Sequence, residues 1–423
     1  MKEMILLKNG TWIDWQTLEF LKTDLLVEEG PDGKLFFSPD PAVKVKVREI
    51  DCTGKLITRS FANGHHHAYS ALSRGMPAPR KKPENFNEIL QSVWWNLDKA
   101  LDPEMIRLSG MVTAMACAKN GVTFVIDHHA SPFAVDGSLE ILAQAFEEVG
   151  VSHLLCYEIS DRDGTEIAKK GLAETAAYLQ KREGLVGLHA SFTVGPDTLK
   201  RAVNLAQKTN SGIHIHVAED KSDEEDCLRK YKMRVVERLA SEGVLQFSKT
   251  ILAHCLHLDD RERGLVEGSW AWMVQNTESN MNNSVGFFNS KGLGSRIMLG
   301  TDGMHSDMLR SAQSAFFAGH NFDNIDYSET YRRFRNVHHY LSENGFSGDG
   351  ENNLVVLDYQ PPAPIAKDNF LSHFLFGFNS ADVCHVIADG KLIVENRKLT
   401  TVNEEKILEA ARVQALRLWR KMK

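Results

Sequence analysis

The sequence predicts an α/β fold: a TIM-like (β/α)8 barrel over residues 57–350, joined to a small composite β-sandwich domain formed by residues 1–56 and 351–423. Three observations predict it. From about residue 57, eight short apolar runs alternate with amphipathic helical stretches, the pattern of a parallel sheet covered on both faces. Ionisable side chains collect at the C-terminal ends of those runs, the face on which such barrels build their sites. Strand-like segments punctuated by turn residues occupy both ends of the chain, and the N-terminal set cannot close alone.

Residues 1 to about 55 hold four strand-like runs, 3–8, 24–28, 34–37 and 43–50, separated by Gly10, Gly30, Pro31, Gly33 and Pro39. The barrel strands are expected at 56–62, 122–127, 151–158, 185–190, 212–217, 250–255, 271–275 and 296–301. Helical stretches between them include 103–119, 138–149, 165–181, 197–208 and 224–241. After about 350 the strand pattern returns at 353–358, 383–388 and 391–395, with Asp389-Gly390 as a hairpin turn between the last two. An amphipathic helix over 404–421 closes the chain. No internal repeat or low-complexity segment interrupts this order.

Composition narrows the function. The 423 residues are 43% hydrophobic and 25% charged, an ordinary soluble balance. A net charge of −7 argues against a nucleic-acid partner, which calls for a basic patch. No apolar run approaches the roughly 18 residues that cross a bilayer. The N-terminal MKEMILLKNG carries Glu3 and only a short apolar core, so it reads as a first strand and not an export signal. Six scattered cysteines (52, 117, 156, 227, 255 and 384) without a CxxC pair fit a reducing cytoplasm. The expected partner is a small molecule, and a homodimer stays open.

The chemistry starts at Asn63-Gly64-His65-His66-His67. Side chains at i and i+2 of a strand share a face, so His65 and His67 point one way and His66 the other. Two imidazoles converging from one strand end make half of a divalent-metal site. Three later stretches complete the pattern: His214-Ile215-His216-Val217-Ala218-Glu219 at strand five, Ala253-His254-Cys255 at strand six, and Leu299-Gly300-Thr301-Asp302-Gly303 at strand eight. Four such strand ends in one barrel point to a site.

These stretches, with NGHHHAYSALSRG, GVTFVIDHHASP, IHIHVAED, AHCLHL, ESNMNNSVG, LGTDG, LVVLDYQPPAP and FLFGFNS, resemble the amidohydrolase superfamily. The branch is that of guanine deaminase, methylthioadenosine deaminase and the triazine hydrolases, nearest in likeness to the SsnA-type aminohydrolases (chlorohydrolases). The resemblance implies one divalent metal, zinc first and iron as the alternative, held by His65, His67, His216 and Asp302. It implies that Asp302 also takes the proton of a metal-bound water. His254 positions or polarises the resulting hydroxide, and Glu219 shuttles a proton to the heterocycle. Three imidazoles and a carboxylate leave room for that water, and the metal lowers its pKa toward neutrality. The expected reaction is hydrolytic deamination of a purine, pyrimidine or related ring. Dechlorination or cyclic-amide opening is the rival within the class, and a metal-binding protein without turnover the rival outside it. Strand four ends Leu188-His189-Ala190-Ser191 without the lysine that bridges two metals in cyclic amidases, which favours a single metal.

His129, Glu158, Asp161, Arg162 and His189 stand at the right rim to meet a substrate, and Trp94 and Trp95 to cover a flat ring. His214 reads as an inner partner of the ligands, and His66 as structural. Glu219 lies three residues past His216, so both serve one site only if the chain bends straight after His216. Two departures from the family pattern stand out: Arg59-Ser60 before Phe61 in place of Pro-Gly, and Gln275-Asn276-Thr277-Glu278-Ser279-Asn280 where relatives carry His-x-Pro before Ser-Asn.

Overall fold

The computed structural model describes residues 4–39, 46–79 and 81–422. Eight strands follow one another as Phe61–His66, Val122–His129, Ser152–Tyr157, Val186–Ala190, Ile213–Val217, Ile251–His254, Trp272–Gln275 and Ile297–Leu299. They are the first to eighth barrel strands below. All pair in parallel, the first three in one sheet and the last five in another. Single parallel bridges join the two sheets at both seams: Leu155 to Gly184 and Ile159 to Leu188 on one side, His66 to Asp302 on the other.

The second seam is held mostly by backbone. The amides of Thr301 and Asp302 both donate to His65 O, at 3.1 and 3.0 Å. Asn63 stitches the same place, its amide donating to Thr301 Oγ1 at 2.6 Å and its carbonyl accepting from Thr301 N at 3.2 Å. The strands approach so closely here that a Cβ on Gly64 would lie 2.8 Å from Leu299 O, and one on Gly300 3.0 Å from His65 Cβ. Only glycine fits both positions.

The run expected as one strand over 56–62 is two. Leu56–Arg59 pairs with Leu354–Leu357 and with Thr11–Trp12, while the chain from Phe61 onward pairs with the second barrel strand. The break falls at Ser60, whose carbonyl accepts from Arg335 (2.8 Å) and His338 (3.2 Å) and whose hydroxyl meets Thr123 Oγ1 at 2.6 Å. A backbone oxygen claimed by two side chains cannot continue a ladder, so the chain passes from one sheet to the other. The Arg59-Ser60 departure therefore belongs to this junction. The helix expected over 224–241 is likewise two, Lys221–Tyr231 and Val235–Ser241, parted at Lys232 in the left-handed region (φ 61°). Arg234 beyond the break ties Glu224, Asp259 and Glu262 together.

Strands from both ends of the chain share one nine-stranded mixed sheet. Met4–Ile13, Phe20–Val27, Leu35–Phe37, Val47–Asp51 and Leu56–Arg59 join Leu354–Leu357, Val383–Ala388, Lys391–Glu395 and Lys398–Leu399. Residues 3 and 43–45 of the expected runs lie outside the described residues. Asp389 and Gly390 both take positive φ (49° and 72°), the twist a two-residue hairpin needs. Ile5, Leu7, Leu25, Ile57, Leu354 and Val356 form a buried cluster of their own in this sheet. The helix Glu404–Lys421 packs on the barrel: the Trp419 indole donates to Leu72 O (2.9 Å) and Lys421 reaches Asp102 (3.1 Å). All six cysteines are buried free thiols. Among the described residues no helix is long and apolar enough to cross a membrane.

Candidate metal centre and active site

The first barrel strand carries His65, His66 and His67 to the C-terminal mouth, and the alternation holds. His65 and His67 face the barrel axis, while His66 turns away, its Nε2 2.8 Å from Ser306 Oγ. His67 Nδ1–H donates to His128 O and His216 Nδ1–H to His189 O, each at 2.7 Å. Carbonyl oxygens only accept, so both rings carry a proton on Nδ1 and turn Nε2 into the site. His65 Nδ1 is 2.9 Å from His214 Nε2, which sets His214 against His65, and His65 Nε2 is buried without a hydrogen-bond partner. His67 Nε2 lies 3.1 Å from His216 Nε2 and 3.2 Å from Asp302 Oδ1, with His65 Nε2 3.7 Å from the same oxygen.

Lone pairs aimed at one another in a buried site repel unless a proton or cation lies between them. The donor set therefore fits a divalent ion. Asp302 holds His67 up to about 9 against burial, which pulls the other way. A cation at that point displaces the proton, so its affinity falls as pH drops. His65 and His216 are held well below the ordinary imidazole range, by burial first and then by the neighbouring histidines. Overlapping sets of ligand atoms lie within 4.8 Å of one another: His65, His67 and Asp302; His65, His216 and His254; Glu219, His254 and Asp302.

Left-handed backbone builds the mouth. Ala218 (φ 45°), His254 (73°), Cys255 (54°) and Asp302 (51°) all leave their strands this way, a strain that clusters at functional sites. The bend at Ala218 turns Glu219 back over the site, its Oε2 3.6 Å from His254 Nε2. Buried Asp223 fixes that bend by accepting from Ala218 N and Phe192 N, each at 3.0 Å. Burial, and then the charge of Asp302, push the Glu219 carboxyl well above its usual range. Asp302 goes the other way: burial opposes ionisation, but His67, His254 and the Ser279 hydroxyl at 2.6 Å hold it well below the carboxylate range. His254 is pulled down to about 4, chiefly by burial. Asn280 Nδ2–H donates to its Nδ1 at 2.8 Å, which leaves the ring proton on Nε2, facing Glu219 and Asp302.

The cavity above is walled by Tyr69, Phe86, Leu90, Trp94 and Trp95, with Glu158, Arg162 and His189 on one side and Ser279, Asn283 and Met304 on the other. Arg162 is clamped by Asp98 and Asp163 and lies 5.2 Å over the Trp95 ring. Two of the expected rim residues do not line this cavity. His129 is fully buried, its Nε2 against Ser131 Oγ (2.9 Å) and its ring packed by Tyr69 and Tyr157. Asp161 accepts from Gly195 N (2.7 Å) and Thr198 Oγ1 (2.8 Å), which ties it to the start of the helix Pro196–Lys208. Phe86 and Leu90 were not foreseen, and Ser279 and Asn280 were legible only as part of the ESNMNNSVG stretch that matches the family pattern. Their placement supplies partners for Asp302 and His254.

An eight-stranded parallel barrel whose mouth gathers histidines and carboxylates around one point is a scaffold for a divalent cation. The chain matches the amidohydrolase family over residues 56–345, and it belongs to that family. It is 28% identical over 396 residues to a 5-methylthioadenosine/S-adenosylhomocysteine deaminase of Syntrophomonas wolfei, covering 87% of this chain and 88% of the relative. It is 28% identical over 381 residues to a 5'-deoxyadenosine deaminase of Methanopyrus kandleri, 84% of each chain. Its fold matches that of a zinc-bound adenosine deaminase from Xanthomonas campestris with a TM-score of 0.82 at 20% identity, covering 99% and 98% of the two chains. E. coli guanine deaminase matches with a TM-score of 0.76 at 17% identity, covering 93% and 99%.

Proposed function

We propose that this protein is a metal-dependent aminohydrolase that uses water to release ammonia from a purine, pyrimidine or related nitrogen ring, the ring carbon exchanging its amino group for oxygen. One observation carries the reading. Three imidazole Nε2 atoms and an ionised carboxylate converge beneath an aromatic cavity, and a carboxyl group tuned to stay protonated stands beside them. The names of the relatives, deaminases of adenosine-type compounds, support it.

His65, His67, His216 and Asp302 would hold the ion, with zinc expected first and iron the alternative. When bound there, a divalent ion supplies Lewis acidity and lowers the pKa of a water. Asp302, held ionised, accepts the proton that the attacking water gives up. His254, its Nε2–H fixed by Asn280, directs the attacking oxygen. Glu219 donates to the ring nitrogen next to the carbon under attack, a task that needs its raised pKa. The planar ring lies between Trp94, Trp95 and Phe86, with Arg162, Glu158 and His189 as the polar contacts that choose among rings. In domain terms, residues 57–350 form the catalytic barrel, and 1–56 with 351–423 the composite β domain.

The test is a measurement of metal content together with ammonia and chloride release across adenosine-type nucleosides, purines, pyrimidines and chlorinated triazines. Ammonia from at least one amino-substituted ring, lost on chelation, is expected. Chloride release without ammonia would replace deamination by dechlorination. Metal-loaded protein that releases neither would favour the reading of a metal binder without turnover.

A further inference from the structure

Beside the N-terminal end of the first barrel strand, away from the mouth, the helix Tyr327–Glu343 buries a positive charge. Arg335 is only 3% exposed. Its Nε donates to Tyr331 Oη at 3.1 Å, and its Nη1 to Ser60 O and Arg59 O at 2.8 and 3.2 Å. Among the described residues nothing accepts from Nη2, and no carboxylate pairs with the guanidinium. The acids nearby are engaged elsewhere. Asp349 holds Arg59 (3.1 Å) and His338 (2.9 Å), Glu329 holds Arg332 (2.6 Å) and Arg333 (2.7 Å), and Asp14 accepts from the amides of Gln16 and Thr17.

Four aromatic rings surround this charge: Trp15, Phe61, Tyr331 and Phe334, at 5.8, 5.6, 5.4 and 5.1 Å. Their faces lower the cost of burying it but offer the Nη2 hydrogens no oxygen. Burial above all pulls the Arg335 pKa below the ordinary arginine value. The guanidinium also borders a cleft of about 280 Å³. Trp15 and Leu18, from the turn after the first strand of the mixed sheet, form one wall, and Tyr331 and Leu371 another. Tyr331 Oη donates to Trp15 O at 2.9 Å and so ties the two walls together. This volume stands near the low end of the about 300–1,000 Å³ of small-molecule sites.

We propose that this cleft binds a small organic anion, a carboxylate with a flat apolar body, whose oxygen accepts from Arg335 Nη2 while the body lies against Trp15, Leu18 and Leu371. A buried cation at the end of a mostly apolar cleft selects for charge and for an apolar body together. A free phosphate meets only the first requirement, and a neutral ring only the second. The site shares no residue with the barrel mouth, so the inference does not depend on which metal is held or which ring is acted on. A ligand here touches segments from the start, the barrel and the end of the chain, so its binding stabilises the whole fold by mass action.

The test is titration calorimetry of the metal-loaded full chain with benzoate, with its neutral counterpart benzamide and with inorganic phosphate. Benzoate should bind at least about tenfold more tightly than either, the effect of one charge-assisted hydrogen bond or of the lost apolar contact. Ser328 is an exposed residue of the cleft, so Ser328→Trp should lay an indole across it and weaken benzoate at least about tenfold without touching the core. Arg335→Met should do the same, and the Ser328 variant keeps the test valid even if Arg335→Met folds poorly. Crystals soaked in 4-bromobenzoate should show a bromine-edge anomalous peak between Trp15 and Leu371. Equal binding of benzoate and benzamide, benzoate affinity untouched by Ser328→Trp, or a bromine peak at the barrel mouth alone would overturn the proposal.

Discussion

Glu219→Gln separates proton transfer from every other role open to this side chain. The replacement keeps the shape and removes only the acidic proton and the capacity for charge. Burial and Asp302 already hold the Glu219 carboxyl well above its usual range, so at neutral pH the swap exchanges one neutral group for another. The fold should hardly notice, with Tm moving by no more than about 2 °C. Metal content is the second reading. Glu219 belongs to one possible ligand set with His254 and Asp302, so a ligand role would cost bound metal and a proton-transfer role would not. The expected loss is in turnover, by the roughly 10²–10⁴-fold that one general acid–base group supplies, about 2.7–5.5 kcal/mol of barrier. The assay is steady-state ammonia release on the best substrate of the panel, with metal counted in the same preparation. Wild-type turnover in a metal-replete variant would refute the assignment and place Glu219 on the surface of the mouth.

Three further outcomes follow from the same geometry. His67→Ala should strip bound metal, because it removes a nitrogen that faces both His216 and Asp302. His66→Ala should keep the wild-type metal content and lose only about 1–3 kcal/mol of stability with its Ser306 contact, measured by denaturant melts; equal metal loss in both would contradict the strand alternation. Asn280→Asp offers His254 Nδ1 an acceptor in place of a donor, moving the ring proton away from the reaction side, so kcat should fall at least about 10²-fold with metal retained; an unchanged kcat would remove Asn280 from the positioning scheme. Burial lowers His129 to about 4, against an ordinary value near 6.5. A depressed histidine contributes stability above the unfolded pKa and loses it as pH falls through the folded one, so melts of metal-free protein should weaken from about pH 6.5 to 4. His129→Asn should flatten that fall by at most about 3 kcal/mol, and an identical slope would show that His129 titrates normally.

Much of the site was legible because its ligands lie at strand ends, where chain order and side-chain alternation alone decide which way a residue faces. His65, His67, His216, His254 and Asp302 meet for that reason, and the bend that returns Glu219 could be demanded from its spacing. What escaped depends on contacts between residues distant in sequence. No local pattern tells that the Ser60 carbonyl is taken by Arg335 and His338, so the apolar run 56–62 read as one strand where two sheets divide it. His129 and Asp161 occupy rim positions by sequence, yet Ser131, Gly195 and Thr198 draw them into the frame around the cavity. Phe86 and Leu90 enter the wall from a short segment ahead of the regular barrel helices, where periodicity has too few turns to declare a face.

The seam between the first and eighth strands gives the barrel an inbuilt gauge. Its two backbone bonds, from the amides of Thr301 and Asp302 to His65 O, can break only if the strand carrying His65 and His67 parts from the loop carrying Asp302. Any ion gripping both sides must be released before that opening, so binding slows the exchange of these two amides with solvent by the factor 1 + [ion]/Kd when opening is local and reversible. Deuterium uptake at Thr301 and Asp302 would then report occupancy of the mouth residue by residue, in protein that turns over nothing at all.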